Sequence, residues 1–214
     1  MKRHTTRYIA YVAVLTAMAF GLMIFPHFPI LPAPANFLQF DFADVPIVFA
    51  GLIFGPIAAV TTAVLKITLY FICGLSSTGG AGELSNLIVS ITFALSISLI
   101  YNIRRNKVTL LIAFAASIGI EICVAIFSNR FIIVPLYIKI LELPPFLVDY
   151  ILSDAYILYA VPLFNFIKFG LQALIGFTLF KSLEKALPKF TLKPKKKAIP
   201  IDTESPADSI YPQS

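Results

Sequence analysis

Six apolar segments, near residues 8–25, 45–54, 56–73, 84–101, 108–128 and 158–180, restrict this chain to one kind of architecture. A helix needs about 20 consecutive apolar residues to cross the hydrocarbon core of a bilayer, and most of the segments approach that length. Composition agrees. Of 214 residues 58% are hydrophobic and only 13% charged, with a mean hydropathy of +0.88, whereas a soluble domain carries about 25% charged residues. The expected fold class is all-α, a polytopic membrane protein.

A formal net charge of +6 is compatible with nucleic-acid binding, but its distribution points elsewhere. Thirteen of the seventeen Lys and Arg fall in three places: Lys2, Arg3 and Arg7; Arg104, Arg105 and Lys107; and seven lysines between Lys181 and Lys197. Under the positive-inside rule these are cytoplasmic flanks. The segment 45–73 is interrupted by Gly55-Pro56, so it is either one kinked span or two short ones joined by a tight turn. With one span the Arg104–Lys107 loop falls outside, and with two all three clusters fall inside. Six transmembrane helices with both termini cytoplasmic are therefore expected. Segment 45–54 is short for a crossing and must tilt, extend or be sheltered. The outer connections become 26–44, 74–83 and 129–157, which hold two basic residues, Arg130 and Lys139. The first and last are long, aromatic and proline-rich, and read as lid loops over the outer face. Residues 1–187 form the membrane domain, and 188–214 a disordered cytoplasmic tail. The N-terminal MKRHTTR and the apolar run behind it imitate a signal peptide, but an uncleaved first span is expected because the run continues through Phe25.

Polar residues inside apolar runs mark the candidate site. In VPLFNFIKFGLQALIGF, Asn165, Lys168 and Gln172 are spaced i, i+3 and i+7 and share one helix face. Lys66 and Glu121 also lie within spans, and ionisable residues there are functional candidates or buried pairs, such as Glu121 with a lysine. Asn129, at the outer end of the fifth helix, can converge with Asn165 and Lys168 to offer the donors and acceptors a polar heterocycle needs. Glu83, in STGGAGELSN, is either a helix N-terminal charge or a ligand contact. That stretch lacks the ending of a phosphate loop. Ala13, Ala17 and Gly21 form a stripe of small residues at four-residue spacing, suited to close helix approach, within the chain or with a partner. Cys73 and Cys123 lie in apolar runs without metal-ligand spacing and read as buried hydrophobes. No triad or HExxH arrangement is present, so neither an enzyme nor a metal or cofactor site is expected.

The segments PANFLQFDFADVPIVFAGLIFGP, TGGAGELSN, SNRFIIVPLY and Asn165-Phe-Ile-Lys168 resemble, in that order, the riboflavin-binding S components of energy-coupling factor (ECF) transporters. The resemblance covers roughly residues 8–185. It implies a vitamin-capture subunit that does not hydrolyse ATP, with a transmembrane coupling protein and two ATPases as partners. It implies ligand contacts at Asn129, Asn165 and Lys168, and a first outer loop around Leu38, Gln39 and Phe40 that closes over the flavin. Glu83 lies in a matching motif. The first helix, through Ala13 and Ala17, resembles the face that docks on the coupling protein. The alternatives are an S component for thiamine, folate or pantothenate, a stand-alone ion-coupled secondary transporter using Glu121, and a non-transporting interaction protein.

Overall fold

The structure, a computed structural model, describes residues 2–183, so the expected tail at 188–214 lies outside the described residues. Helix α1 (Lys2–Ile24) is followed by a loop containing a two-stranded antiparallel ribbon, β1 (Phe28–Pro29) and β2 (Gln39–Phe40), in which Phe28 faces Phe40. Then come α2 (Asp44–Phe54), α3 (Pro56–Ile72), α4 (Ala81–Ile103), α5 (Lys107–Ser128), α6 (Val134–Ile140), α7 (Pro145–Leu152) and α8 (Val161–Leu183). Among the described residues four helical stretches are long and apolar enough to cross a membrane: Thr6–Ile24, Ala81–Ile103, Lys107–Ile140 and Tyr156–Ser182. Helices α2 and α3 are apolar but shorter.

The Gly55-Pro56 break is a reversal, not a kink. In one continuous helix, Gly51 and Ala59 would be about 12 Å apart along the axis. Instead, a Cβ built on Gly51 would lie 3.1 Å from the Ala59 Cβ and 3.2 Å from the Ser98 Cβ. Gly55 makes the turn at φ +98°, a conformation only glycine adopts freely, and Pro56 starts α3 where its missing N–H is not needed. The Ser98 hydroxyl donates to the Gly51 carbonyl at 2.8 Å, fastening α4 across the hairpin. The basic loop at 104–107 ends where the Asn106 side chain caps α5 by accepting from the Thr109 N–H at 2.7 Å.

The connection expected as a loop at 129–157 is largely helical. Helix α5 runs on through a π turn at Asn129–Ile133 into α6, and a second π turn at Tyr156–Ala160 leads into α8. Each π turn is followed at once by Val-Pro, at 134–135 and 161–162. Proline lacks the N–H an α-helix requires and crowds the preceding turn, and a widened turn accommodates both effects. Helix α4 packs on α5, α5 on α8, and α2 on α3, α4 and α8. Phe93 and Phe169 meet at the centre with ring centroids 4.5 Å apart. Helix α1 packs against α2 and α3 through Val12, Thr16, Ala19 and Met23, leaving Ala13, Ala17 and Gly21 exposed. Cys73 and Cys123 are exposed, not buried. In a membrane chain an apolar run does not separate core-facing positions from outward-facing ones.

Candidate functional site

Beneath the loop that joins α1 to α2 lies a cavity of about 160 Å³ lined from that loop, α4, the two π turns and α8. It gathers Leu38, Gln39, Glu83, Asn129, Asn165 and Lys168, six of the residues singled out in the sequence. Phe40 does not line it. That side chain is buried behind the ribbon, its ring 5.3 Å from Phe28 and 4.8 Å from Phe42.

Each asparagine is oriented by its own helix. The Asn129 amide nitrogen donates to the Ala125 carbonyl and that of Asn165 to the Val161 carbonyl, both at 2.9 Å. Each nitrogen keeps a second N–H and each amide oxygen its lone pairs, so the pair can offer a ligand both donors and acceptors. The Asn129 oxygen also accepts from the Tyr156 hydroxyl at 3.3 Å, tying the two π turns together at the cavity wall. Glu83 stands in the first turn of α4, the end favoured for an acid, and also faces the cavity, accepting from the Thr78 hydroxyl at 2.5 Å.

The cavity floor is a charge network that the sequence reading did not assemble. Lys168 donates to Asp41 at 3.0 Å and lies 3.7 Å from Asp44. Lys66 lies 3.5 Å from Asp44 and donates to the Asn86 side-chain Oδ1 at 2.7 Å and the Ser90 hydroxyl at 3.2 Å. Ser90 in turn donates to Asp44, and the Asn86 amide to Asp41 at 3.4 Å. Two ammonium groups thus face two carboxylates, all buried, so the cluster is formally neutral. Glu121 is not the counter-ion: it too is buried, yet among the described residues neither of its oxygens has a hydrogen-bond partner. Gln172 bonds within the bundle as its spacing implied, donating to the Asp41 backbone carbonyl at 2.7 Å. Asp41 therefore binds the first outer loop to α8 by side chain and backbone. The available signal was arithmetic: two lysines inside spans call for two acids, and FDFADVP supplies them immediately before α2.

A family model described as "ECF transporter, substrate-specific component" matches residues 7–180. The chain belongs to that family. It is 31% identical over 171 residues to the riboflavin transporter FmnP of Bacillus subtilis (strain 168), across 78% of this chain and 86% of that protein. Identity to the riboflavin transporter RibU of Staphylococcus aureus (strain TCH60) is 30%, over 62% of this chain and 68% of the relative. A solved structure, described as "Structure and mechanism of the S component of a bacterial ECF transporter", superposes with a TM-score of 0.69 at 27% identity. It covers 86% of this chain and 98% of the solved one. This is the family named from the four sequence motifs. The chain is a substrate-specific component of an ECF transporter.

Proposed function

We infer that this S component captures riboflavin from outside the cell and delivers it to an ECF module for ATP-driven uptake. The observation that carries the reading is the convergence of Asn129, Asn165 and Lys168, from two different helices, on one buried cavity under an aromatic loop. The relatives' own names as riboflavin transporters supply the ligand. Riboflavin is a flat tricycle with carbonyl and imide groups on one edge and a polyol side chain. The asparagine oxygens suit the imide N–H, and Lys168, held over the charge network, has an ammonium to offer a carbonyl or ribityl oxygen. Leu38 and Gln39, on the loop anchored by Asp41, cover the entrance.

On this reading the chain spans the membrane six times, with α2 and α3 as the second and third crossings and both termini cytoplasmic. Residues 1–187 are the membrane domain. The partners are a transmembrane coupling subunit and two ATPases, and the chain itself catalyses nothing and holds no resident cofactor. Ala13 and Ala17 form the docking face, a role supported by their exposure on α1 while Val12, Thr16 and Ala19 do the internal packing. The test is uptake of labelled riboflavin into cells expressing the chain with and without the coupling and ATPase subunits. Uptake only with the full set is expected. Uptake by the chain alone would overturn the S-component mechanism.

A further inference from the structure

A groove of about 410 Å³ runs between the end of α5 and the π turn that leads into α8. Its apolar lining is Cys123, Ile126, Phe127 and Phe131 on one side and Ile157 and Leu158 on the other. The Phe127 and Phe131 rings lie 4.7 Å apart and form one wall. Both rings and Leu158 are more than half exposed, so the groove opens on the surface of the bundle. None of these six residues lines the polar cavity. Among the described residues the groove's charged groups are Arg130 and Asp154, paired at 3.4 Å, the first half-exposed and the second exposed. An exposed pair of this kind is weakly held, and a guanidinium and a carboxylate each have more donors or acceptors than one contact uses.

Depth decides what fits. Arg130 stands 23 positions after Lys107, about 35 Å along a helix axis, against about 30 Å for the hydrocarbon core of a bilayer. Asp154 stands two positions before the apolar stretch Tyr156–Ser182. The pair therefore lies where two crossings reach the headgroup region, and Tyr159, exposed about a turn further on, suits the same interface. Cys123 is seven positions before Arg130, about 10 Å deeper. We propose that the groove holds one glycerophospholipid, its phosphate on Arg130, its headgroup ammonium on Asp154 and an acyl chain laid along Phe127, Phe131 and Leu158. Charge complementarity makes the choice. An acid beside the arginine disfavours a purely anionic headgroup, and a phosphate followed by an ammonium matches the two residues in order. Guanidinium–phosphate hydrogen bonds are charge-assisted and among the stronger ones. Phosphatidylethanolamine, whose ammonium donates, fits better than phosphatidylcholine, whose quaternary ammonium has no N–H. The proposal rests on the reading of these stretches as membrane crossings and is independent of the transported ligand.

The experiment is native mass spectrometry of the full chain, delipidated in detergent and titrated with phosphatidylethanolamine, phosphatidylcholine and phosphatidylglycerol of identical acyl chains. One lipid per chain should bind first, with phosphatidylethanolamine about threefold tighter than the other two, the scale of an exposed charge pair. Arg130→Ala should weaken all three roughly tenfold or more, the loss expected for a charged hydrogen bond. Asp154→Asn should keep the bound lipid and remove the preference for phosphatidylethanolamine. Leu158→Trp, which fills the groove from a side chain already exposed, should weaken all three at an unchanged unfolding temperature. Equal binding of the three lipids that no variant changes would mean an ordinary annulus and would overturn the site alone. Chain dimers that displace lipid and disappear in Leu158→Trp would give the groove to a second copy and overturn it too. A chain that stays folded and soluble without detergent or lipid would remove the membrane reading and the site with it.

Discussion

Lys66 and Lys168 are tolerated among apolar helices because Asp41 and Asp44 meet them, with Asn86 and Ser90 occupying further donors and acceptors. An unpaired charge at mid-membrane costs about 2.5–3.5 kcal/mol on insertion scales, and breaking a buried pair by removing one partner costs about 3–5 kcal/mol. Lys66→Met and Asp44→Leu should each destabilise the chain by that order, read as a lower unfolding temperature in detergent. Lys168→Met should show the same loss together with weaker ligand binding, and adding Asp41→Asn should recover part of the stability. Glu121→Gln should leave stability unchanged or raise it, since no protein donor reaches its carboxyl oxygens. Tyr156→Phe removes the hydroxyl that holds Asn129. A hydrogen bond of about 1 kcal/mol corresponds to roughly fivefold weaker riboflavin binding, with the fold retained. Of these residues, Asn165, Lys168 and Gln172 were legible because helical spacing reports a shared face. Asp41 and Asp44 were not, because they precede α2, and spacing within spans says nothing about what a loop folds in beside them. Tyr156 was hidden for another reason: its partner Asn129 is 27 positions away, and only the packing of α5 on α8 brings them together.

The helices divide by how their ends are made. The α2–α3 hairpin depends on Gly55 for its turn and on Gly51 for its close approach to Ala59 and Ser98. Gly51→Ala should cost about 1–3 kcal/mol as an overpacked contact, whereas Gly21→Ala, with open space around it, should leave the unfolding temperature of the isolated chain unchanged. Charge parity among the basic clusters found this hairpin in the sequence, because only two segments put the Arg104–Lys107 loop on the same side as the other clusters. The helical character of 129–157 was missed because its prolines read as loop signals. Pro135 instead follows a π turn that continues the axis of α5, and that turn and the one ahead of Pro162 bring Asn129 and Tyr156 to the cavity wall. Sequence punctuation marked the right places and misjudged what happens there.

The whole molecule separates its tasks by surface. One end of the bundle carries the cavity and its aromatic loop, the interior carries a neutral charge network, and α1 leaves a stripe of small residues uncovered. If that stripe docks the coupling subunit, Ala13→Phe with Ala17→Phe should abolish uptake and co-purification with the ECF subunits while riboflavin binding by the isolated chain stays within twofold. The most direct test of the account is a titration of the detergent-purified chain with riboflavin, following quenching of flavin fluorescence. The chain contains no tryptophan, so the ligand's own signal is the natural probe. Saturable quenching at one site per chain, weakened at least tenfold by Asn165→Ala with no change in unfolding temperature, is the predicted result. A folded wild-type chain that leaves riboflavin fluorescence unchanged, or an Asn165→Ala variant that binds as tightly as wild type, would contradict it.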